Sequence, residues 1–256
     1  MFSMKQFSLE GKTAVVTGAG NTGGLCFAMA DALHQAGAKV VLWDVVPGVH
    51  DLVATLGGAE KGFFAVQADL CDTASREAGF KQAVELLGGR LDILVNGAGI
   101  QHREDAATFP PEKWARIIDI NLNALFYLSQ LAGRHMIENG GGKIINVASM
   151  TSFVASRFIA AYAASKGGVA QLTKALSNEW AGLGVNVNAI APGYMITELT
   201  KNLVDTDQGK MHTRRIPAGR WGTGEDLKGT IVFLASEASG YINGAIIPVD
   251  GGYLGA

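Results

Sequence analysis

The sequence is poor in cysteine and in clustered positive charge, and each shortage excludes a class of protein. Two cysteines, Cys26 and Cys71, cannot build a disulfide framework, and their spacing matches no metal site. We expect both to be reduced thiols that face the core. The net charge is −2 with no basic block, so nucleic acid binding has no electrostatic support. Hydrophobic residues make up 48% and charged residues 17%, which argues against disorder.

Long apolar runs and several common catalytic motifs are also missing. No run of about 18 apolar residues occurs, so we expect no membrane span. Residues 1–5 lack the apolar stretch of a signal peptide, and we therefore expect a cytoplasmic protein. No H-E-x-x-H, G-x-S-x-G or P-loop pattern appears, so metalloprotease, hydrolase and kinase functions lack support, and we expect no metal.

What the chain does contain is a regular alternation of short apolar segments with helical patterns. Apolar strands alternating with helices predict a parallel sheet with helices on both faces. The expected fold is therefore α/β, a Rossmann-type doubly wound sheet of about seven strands, in one domain over residues 1–256. The predicted strands are 12–17, 39–43, 63–66, 91–95, 143–147, 185–190 and 245–249, and the predicted helices are 25–36, 73–88, 111–138, 162–180 and 225–236.

A glycine-rich turn, residues 18–24, follows the first predicted strand and opens a helix. The second strand then ends at Asp44. Strand, glycine turn, helix, strand and acid in this order are typical of a dinucleotide site, where the backbone and the helix N-terminus receive a pyrophosphate. Further polar residues, including Asp69, Asn96 and Ser149, also follow predicted strands. Ligands bind at the carboxyl ends of such strands, so these residues are expected to converge.

Tyr162 and Lys166 are four residues apart in a predicted helix, and side chains at this spacing share one face. A free tyrosine has a pKa of about 10, and a neighbouring ammonium favours its phenolate form. A phenol tuned in this way can exchange a proton with an alcohol oxygen. The spacing alone usually marks an ordinary surface pair, and only the rest of the chain favours chemistry.

These features together resemble the short-chain dehydrogenase/reductase family along nearly the whole chain. The family pattern T-G-x-x-x-G-x-G matches residues 17–24, and N-N-A-G matches residues 96–99. Asn121, Ser149 thirteen residues before Tyr162, Pro192-Gly193 with Thr197, and the closing residues 249–252 also match. Thr22 stands where the first pattern has its middle glycine, and Gly97 stands where the second has an asparagine. Gly97 thereby lacks a side chain that could hold the central strands together.

The resemblance implies a hydride transfer between a nicotinamide cofactor and a hydroxyl or keto group. Tyr162 would then be the acid/base, and Lys166 would lower its pKa and hold the nicotinamide ribose. Ser149 would bind the substrate oxygen, and Asn121 would hold a water that links Lys166 to solvent. Asp44 would accept the ribose hydroxyls and repel a 2′-phosphate, which favours NAD(H) over NADP(H). An N-cap or a solvated aspartate is the alternative for Asp44.

Asp69 would face the adenine amine and Leu70 would offer backbone groups, although a loop-capping role for Asp69 is nearly as good. Thr197 would contact the nicotinamide amide or the phosphates, or else be a simple turn residue. The full predicted cofactor set is Gly18, Gly20, Asn21, Thr22, Gly23, Asp44, Asp69, Leu70, Asn96, Gly97, Ala98, Tyr162, Lys166, Pro192, Gly193 and Thr197.

Several stretches, among them residues 143–150 and 216–222, are similar to the sugar-acid dehydrogenases of the family. A sugar acid needs a cation for its carboxylate, preferably a forked guanidinium, and Arg103 and Arg157 are the candidates. Tyr194 would line the pocket with Ser149 and Tyr162. Residues 194–215 are expected to form a lid or an ordinary exposed loop. Residues 153–160 depart from the sugar-acid enzymes, so substrate identity is less specified than reaction type.

Two other functions stay open from the sequence. One is a related dehydrogenase acting on another carbonyl or alcohol, such as a 3-oxoacyl thioester or a cyclic alcohol. The other is a non-catalytic NAD-binding regulator, which would be expected to lose Ser149, Tyr162 or Lys166. The resemblance further implies a homotetramer with interfaces on the helices near 111–138 and 160–180. Apolar side chains there, such as Leu125 and Leu176, fit a monomer core equally well.

Overall fold

The computed structural model describes residues 3–198 and 200–256. Seven parallel strands form one sheet in the order β3-β2-β1-β4-β5-β6-β7, which confirms the predicted doubly wound α/β fold. The strands are β1 Thr13–Thr17, β2 Lys39–Asp44, β3 Phe63–Gln67, β4 Ile93–Asn96, β5 Gly142–Val147, β6 Val185–Pro192 and β7 Ile246–Val249.

Helices cover both faces of the sheet because neighbouring strand residues point to opposite sides. Val16 and Leu42 pack with Leu33 of α1 and Ile231 of α8, whereas Val15 and Val41 pack on the opposite face with α3, α5 and α6. The helices are α1 Leu25–Gln35, α2 Val49–Thr55, α3 Thr73–Leu86, α4 Pro111–Ile118, α5 Leu125–Glu138, α6 Ala160–Trp180, α7 Asp207–Thr213 and α8 Glu225–Ala235.

The predicted helix over 111–138 is confirmed in its extent, and its hydrogen-bonding pattern changes in the middle. A π-helical segment, Asp119–Ala124, separates α4 from α5. Such segments are rare and occur frequently at functional sites. The short helix α2 was not predicted, since seven residues carry too little periodicity to be recognised.

The region expected to be a lid contains a 3₁₀ turn at Lys201–Leu203 and helix α7, while Leu199 lies outside the described residues. Within the described part of the chain, no helix has the length and apolar character needed to cross a membrane.

Strand order reverses between β1 and β4, since β2 and β3 lie to one side of β1 and the later strands lie beyond β4. The carboxyl ends of the strands open a crevice at such a switch point. Thr17 closes the base of this crevice, because its Oγ1 accepts the backbone N–H groups of Gly97 and Ala98 at 3.0 and 3.2 Å.

Candidate active site

A cavity of about 430 Å³ lies at the switch point of the sheet. Gly18 has a φ of +73°, and a Cβ there would lie 2.8 Å from the Cα of Ala98, so only glycine lets these two loops approach. The predicted cofactor residues that line the cavity are Gly18, Asn21, Gly23, Asp44, Asp69, Leu70, Gly97, Ala98 and Thr197.

The cavity fits a dinucleotide by its shape and its backbone groups. Helix α1 begins at Leu25 directly against it, and its N-cap, Gly24, supplies no side chain to the free N–H groups of the first turn. Unsatisfied N–H groups and the positive end of the helix dipole suit a phosphate. Residues of the glycine turn would therefore hold the pyrophosphate of a nicotinamide dinucleotide.

Asp44 stands at the end of β2 in the cavity wall, and both of its oxygens already have backbone partners. Oδ2 accepts the N–H of Gly20 at 2.8 Å, and Oδ1 accepts the N–H of Val45 at 2.8 Å. These bonds hold the carboxylate in one orientation beside the turn and leave its remaining lone pairs for ribose hydroxyls. Asp69 also lines the cavity. Its Oδ1 accepts the N–H of Cys71 at 2.8 Å, so it caps the loop from a position that is also compatible with facing the adenine.

Seven predicted cofactor residues are not part of the cavity lining among the described residues. Asn96 is buried, and its amide donates to Ser129 Oγ at 2.8 Å and Asn146 Oδ1 at 2.9 Å, which joins β4 to α5 and β5. The N–H of Gly193 bonds the carbonyl of Val249 at 3.0 Å where β6 passes beside β7. The others outside the lining are Gly20, Thr22, Tyr162, Lys166 and Pro192.

The predicted catalytic residues come together beside this cavity. Ser149 lies just after β5, with its side chain close to the hydroxyl of Tyr162 on α6. The Nζ of Lys166 lies 5.8 Å from the centre of the Tyr162 ring. Gly99 lines the cavity, and a Cβ on it would lie 3.7 Å from that Nζ. Lys166 therefore stands between the phenol and the cofactor cavity.

One expectation about this pair is wrong, because the pKa of Tyr162 is not lowered in the free protein. Burial raises the pKa of the phenol above its ordinary value, and the hydrogen bond with Ser149 opposes this only in part. Burial also lowers the pKa of Lys166 to about 8. The ammonium donates to the carbonyl of Val147 at 2.6 Å. For both groups, desolvation outweighs the expected attraction between the phenolate and the ammonium.

Asn121 lies in the π segment and is fully buried. Its Oδ1 accepts the N–H of Ile100 at 2.8 Å, and its Nδ2 donates to the carbonyl of Ile100 at 2.9 Å and to Ser165 Oγ at 3.1 Å. Ser165 in turn donates to the carbonyl of Tyr162 at 2.8 Å. The side chain therefore ties the loop after β4 to α6, and both of its polar atoms have protein partners.

Gly97 and Cys26 both line the cavity and pack directly against each other. A Cβ on Gly97 would overlap the Sγ of Cys26 and would lie 2.9 Å from the carbonyl of Thr17. The cysteine fills the space that a larger residue at 97 would need. Burial raises the pKa of the Cys26 thiol to about 11, so this group is neutral.

Several residues of the region escaped sequence reasoning. Glu198 and Arg116 line the cofactor cavity, and a Cβ on Gly23 would lie 2.8 Å from Cγ of Glu198. On the substrate side, Tyr194 stacks on His212 with ring centres 4.4 Å apart. Tyr194 was predicted to line the pocket, whereas no motif or spacing marks Glu198, Arg116 or His212, since their contacts join distant segments. The guanidinium of Arg157 lies 5.0 Å from the centre of the ring of its neighbour Phe158, and its substrate role stays a prediction.

The chain is similar to a known protein family. A family model described as enoyl-(acyl carrier protein) reductase matches residues 18–254. The chain is 48% identical over 250 residues to 2-dehydro-3-deoxy-D-gluconate 5-dehydrogenase of Bacillus subtilis (strain 168), which covers 97% of this chain and 96% of that one.

Two solved structures share the fold over 98% of both chains. One is gluconate 5-dehydrogenase from Burkholderia cenocepacia J2315 in complex with NADP and tartrate, at 38% identity and a TM-score of 0.92. The other is a short-chain type dehydrogenase/reductase from Mycobacterium marinum, at 35% identity and a TM-score of 0.88. Similarity of this extent shows that the chain belongs to the short-chain dehydrogenase/reductase family, as an oxidoreductase that uses a nicotinamide cofactor on CH–OH groups.

Proposed function

We propose that the chain interconverts a secondary hydroxyl and a ketone on a sugar acid or polyol, with Tyr162 as the acid/base and NAD(H) as the cofactor. The close approach of Ser149 to the hydroxyl of Tyr162, with Lys166 beside the ring, is the observation that carries this proposal. When bound, the nicotinamide supplies or accepts the hydride. The chain's own residues bind the substrate oxygen and move its proton.

In the reducing direction the phenol of Tyr162 donates its proton to the carbonyl oxygen, and in the oxidising direction the phenolate accepts the proton of the hydroxyl. The raised pKa of the phenol keeps it protonated in the free protein, which suits the donor role. Ser149 holds the oxygen toward Tyr162. Lys166, next to the cavity, stabilises the phenolate that remains after transfer and would hold the ribose of a bound nicotinamide cofactor. Asn121 contributes by fixing the loop and helix that carry these groups.

The substrate class is supported by relatives whose names are 2-dehydro-3-deoxy-D-gluconate 5-dehydrogenase and gluconate 5-dehydrogenase. Tartrate, bound in a related structure, is also a hydroxylated carboxylate. The test is NADH formation across sugar acids and polyols, including D-gluconate, with 2-keto-3-deoxygluconate assayed in both directions. Tyr162→Phe should lose about 10²- to 10⁴-fold in kcat, because the proton transfer is lost. Near-wild-type turnover in that variant, with cofactor still bound, would refute the role of Tyr162.

NAD(H) is proposed over NADP(H) because Asp44 is held at the end of β2 in the cavity wall. A carboxylate there repels a 2′-phosphate. The related structure that holds NADP makes this a point to measure. We expect kcat/KM to be at least about tenfold higher with NAD than with NADP, since one ribose contact and one repulsion differ. A preference for NADP would overturn this part of the proposal.

We further propose a cytoplasmic homotetramer of one-domain subunits. One sheet runs through the whole described chain, which supports a single domain over residues 1–256. Trp114 on α4 and Tyr127 on α5 are 43% and 46% exposed, as rings at an interface would be in a separated subunit. Leu125 and Leu176 are buried within the protomer, so these two belong to its core.

A further inference from the structure

A cluster of aromatic rings lies on the substrate side, and it positions two cationic side chains that no motif marks. Tyr194 stacks on His212 at 4.4 Å and lies 5.1 Å from Trp221 and 5.5 Å from Tyr253, between ring centres. The guanidinium of Arg215 sits 4.7 Å from the centre of the Tyr253 ring. The rings thereby hold His212 at the end of α7, and Arg215 just after it, in fixed places.

The charges in this cluster are all of one sign. Burial lowers the pKa of His212, and the nearby guanidinium groups of Arg103 and Arg215 lower it further. Within residues 3–198 and 200–256, no salt bridge involves either arginine, and Nδ1 of His212 is buried without a hydrogen-bond partner. Two unneutralised guanidinium groups and a free imidazole nitrogen in one place are suited to an anion.

The cluster is joined to the segments that carry the catalytic residues. Ser156, in the loop between Ser149 and Tyr162, lies close to the hydroxyl of Tyr194 and favours its ionised form. The N–H of Glu104, next to Arg103, bonds the carbonyl of Phe158 at 2.9 Å. Three loops that follow β4, β5 and β6 thus meet here, on the same edge of the sheet as Ser149 and Tyr162.

We propose that Arg215 and His212, together with Arg103, form the subsite that binds the carboxylate of the substrate. This inference rests on the proposed function, and it assigns the carboxylate to α7 and the residues after it. Arg157, the other candidate cation from the sequence, is not part of the proposed subsite. A bound carboxylate would neutralise the two guanidinium groups and give Nδ1 of His212 an acceptor when the ring is protonated.

The test compares Arg215→Gln with Arg214→Gln, a neighbouring exposed arginine that serves as the matched control. D-gluconate and D-glucitol, which differ in the carboxylate, are titrated by calorimetry into protein saturated with NADH, and NADH formation is followed in parallel samples that contain NAD. We expect Arg215→Gln to weaken D-gluconate binding about tenfold or more, because a charge-assisted contact is lost. D-glucitol binding should change less than about twofold. Arg214→Gln should match the wild type.

The outcomes separate the two proposals. Equal wild-type affinity for D-gluconate and D-glucitol, or equal losses in Arg215→Gln and Arg214→Gln, would overturn the subsite. Discrimination for the carboxylate without any NADH formation across the sugar acids would overturn the oxidoreductase proposal and leave the subsite standing.

A pH series tests His212 separately. Arg103, Arg215, Tyr194 and Tyr253 are the charged and titratable groups that face this ring. A bound carboxylate favours the imidazolium, so D-gluconate should bind more tightly as the pH falls from 8 to about 5.5. His212→Gln should lose this dependence while keeping preference for the carboxylate. An unchanged pH profile in His212→Gln would remove the histidine from the subsite.

Discussion

At the scale of single residues, Tyr162 and Lys166 show that a spacing predicts proximity better than it predicts a pKa. Tyr162 and Lys166 do share a helix face, yet the ammonium lies 5.8 Å from the ring centre and bonds the carbonyl of Val147. Burial acts on both groups and disfavours the charged form of each. The sequence cannot reveal this, since desolvation depends on what the rest of the fold places around the pair.

Lys166 provides the first prediction, because a buried ammonium costs stability. Its pKa is about 8 in the folded protein and about 10.4 in an unfolded chain. Between these values the unfolded chain binds more protons, so stability rises with pH in that window. From pH 7 to 9, the wild type should gain about 1 kcal/mol in free energy of unfolding relative to Lys166→Met.

Urea unfolding at the two pH values measures this difference. Lys174→Met, which removes an exposed lysine of the same helix, is the control and should give no pH-dependent difference from the wild type. A wild type that gains no stability relative to Lys166→Met over this range would show that the folded pKa is not depressed.

Gly97 and Cys26 provide the second prediction, as a coupled pair. Gly97→Ala should destabilise the protein by about 1–3 kcal/mol, because the new Cβ overlaps Sγ of Cys26. In the Cys26→Ala background the same change should cost about 1 kcal/mol less, with the remaining cost due to the close carbonyl of Thr17. Thermal unfolding of the four proteins in the cycle gives the coupling energy, and additive effects would contradict the packing explanation.

At the scale of elements, the ends of the strands were predictable from the sequence, whereas the π segment within a helix was not. Each strand was found because apolar runs alternate with helical periods, and the polar residues that follow them converge as expected for a parallel sheet. The π segment was missed because its apolar pattern continues through α4 and α5. Its extra residue per turn becomes visible only through the backbone, and it lets Asn121 reach Ile100 and Ser165.

Asn121→Ala tests that connection. Three hydrogen bonds of a fully buried amide are lost, so we expect the free energy of unfolding to fall by about 2–3 kcal/mol. Asn123→Ala lies in the same π segment and removes a single exposed bond to Asp119, so it should cost less than about 0.5 kcal/mol. Urea unfolding compares the two variants, and equal losses would show that the buried network contributes nothing beyond local helix propensity.

At the scale of the whole molecule, the sheet and its cofactor edge follow from pattern, whereas the substrate side does not. The glycine turn and Asp44 are neighbours of strands that any doubly wound sheet brings together. His212 and Arg215 reach Tyr194 and Tyr253 through loops whose path no periodicity specifies. Of the three residues in the proposed carboxylate subsite, only Arg103 was predicted from the sequence, since only tertiary packing places the other two beside it.

Assembly is the remaining property of the whole molecule, and the exposed rings on α4 and α5 make it testable. Replacing Trp114 and Tyr127 together by Ser removes two aromatic anchors from each subunit, and such anchors carry about 2 kcal/mol or more each at interfaces. Light scattering should give four times the chain mass of 26.8 kDa for the wild type and a lower average mass for the double variant. Met4→Ser, another exposed apolar side chain, should leave the mass unchanged. A wild type of single-chain mass would contradict the tetramer, whereas a double variant that stays tetrameric would move the interface away from these helices.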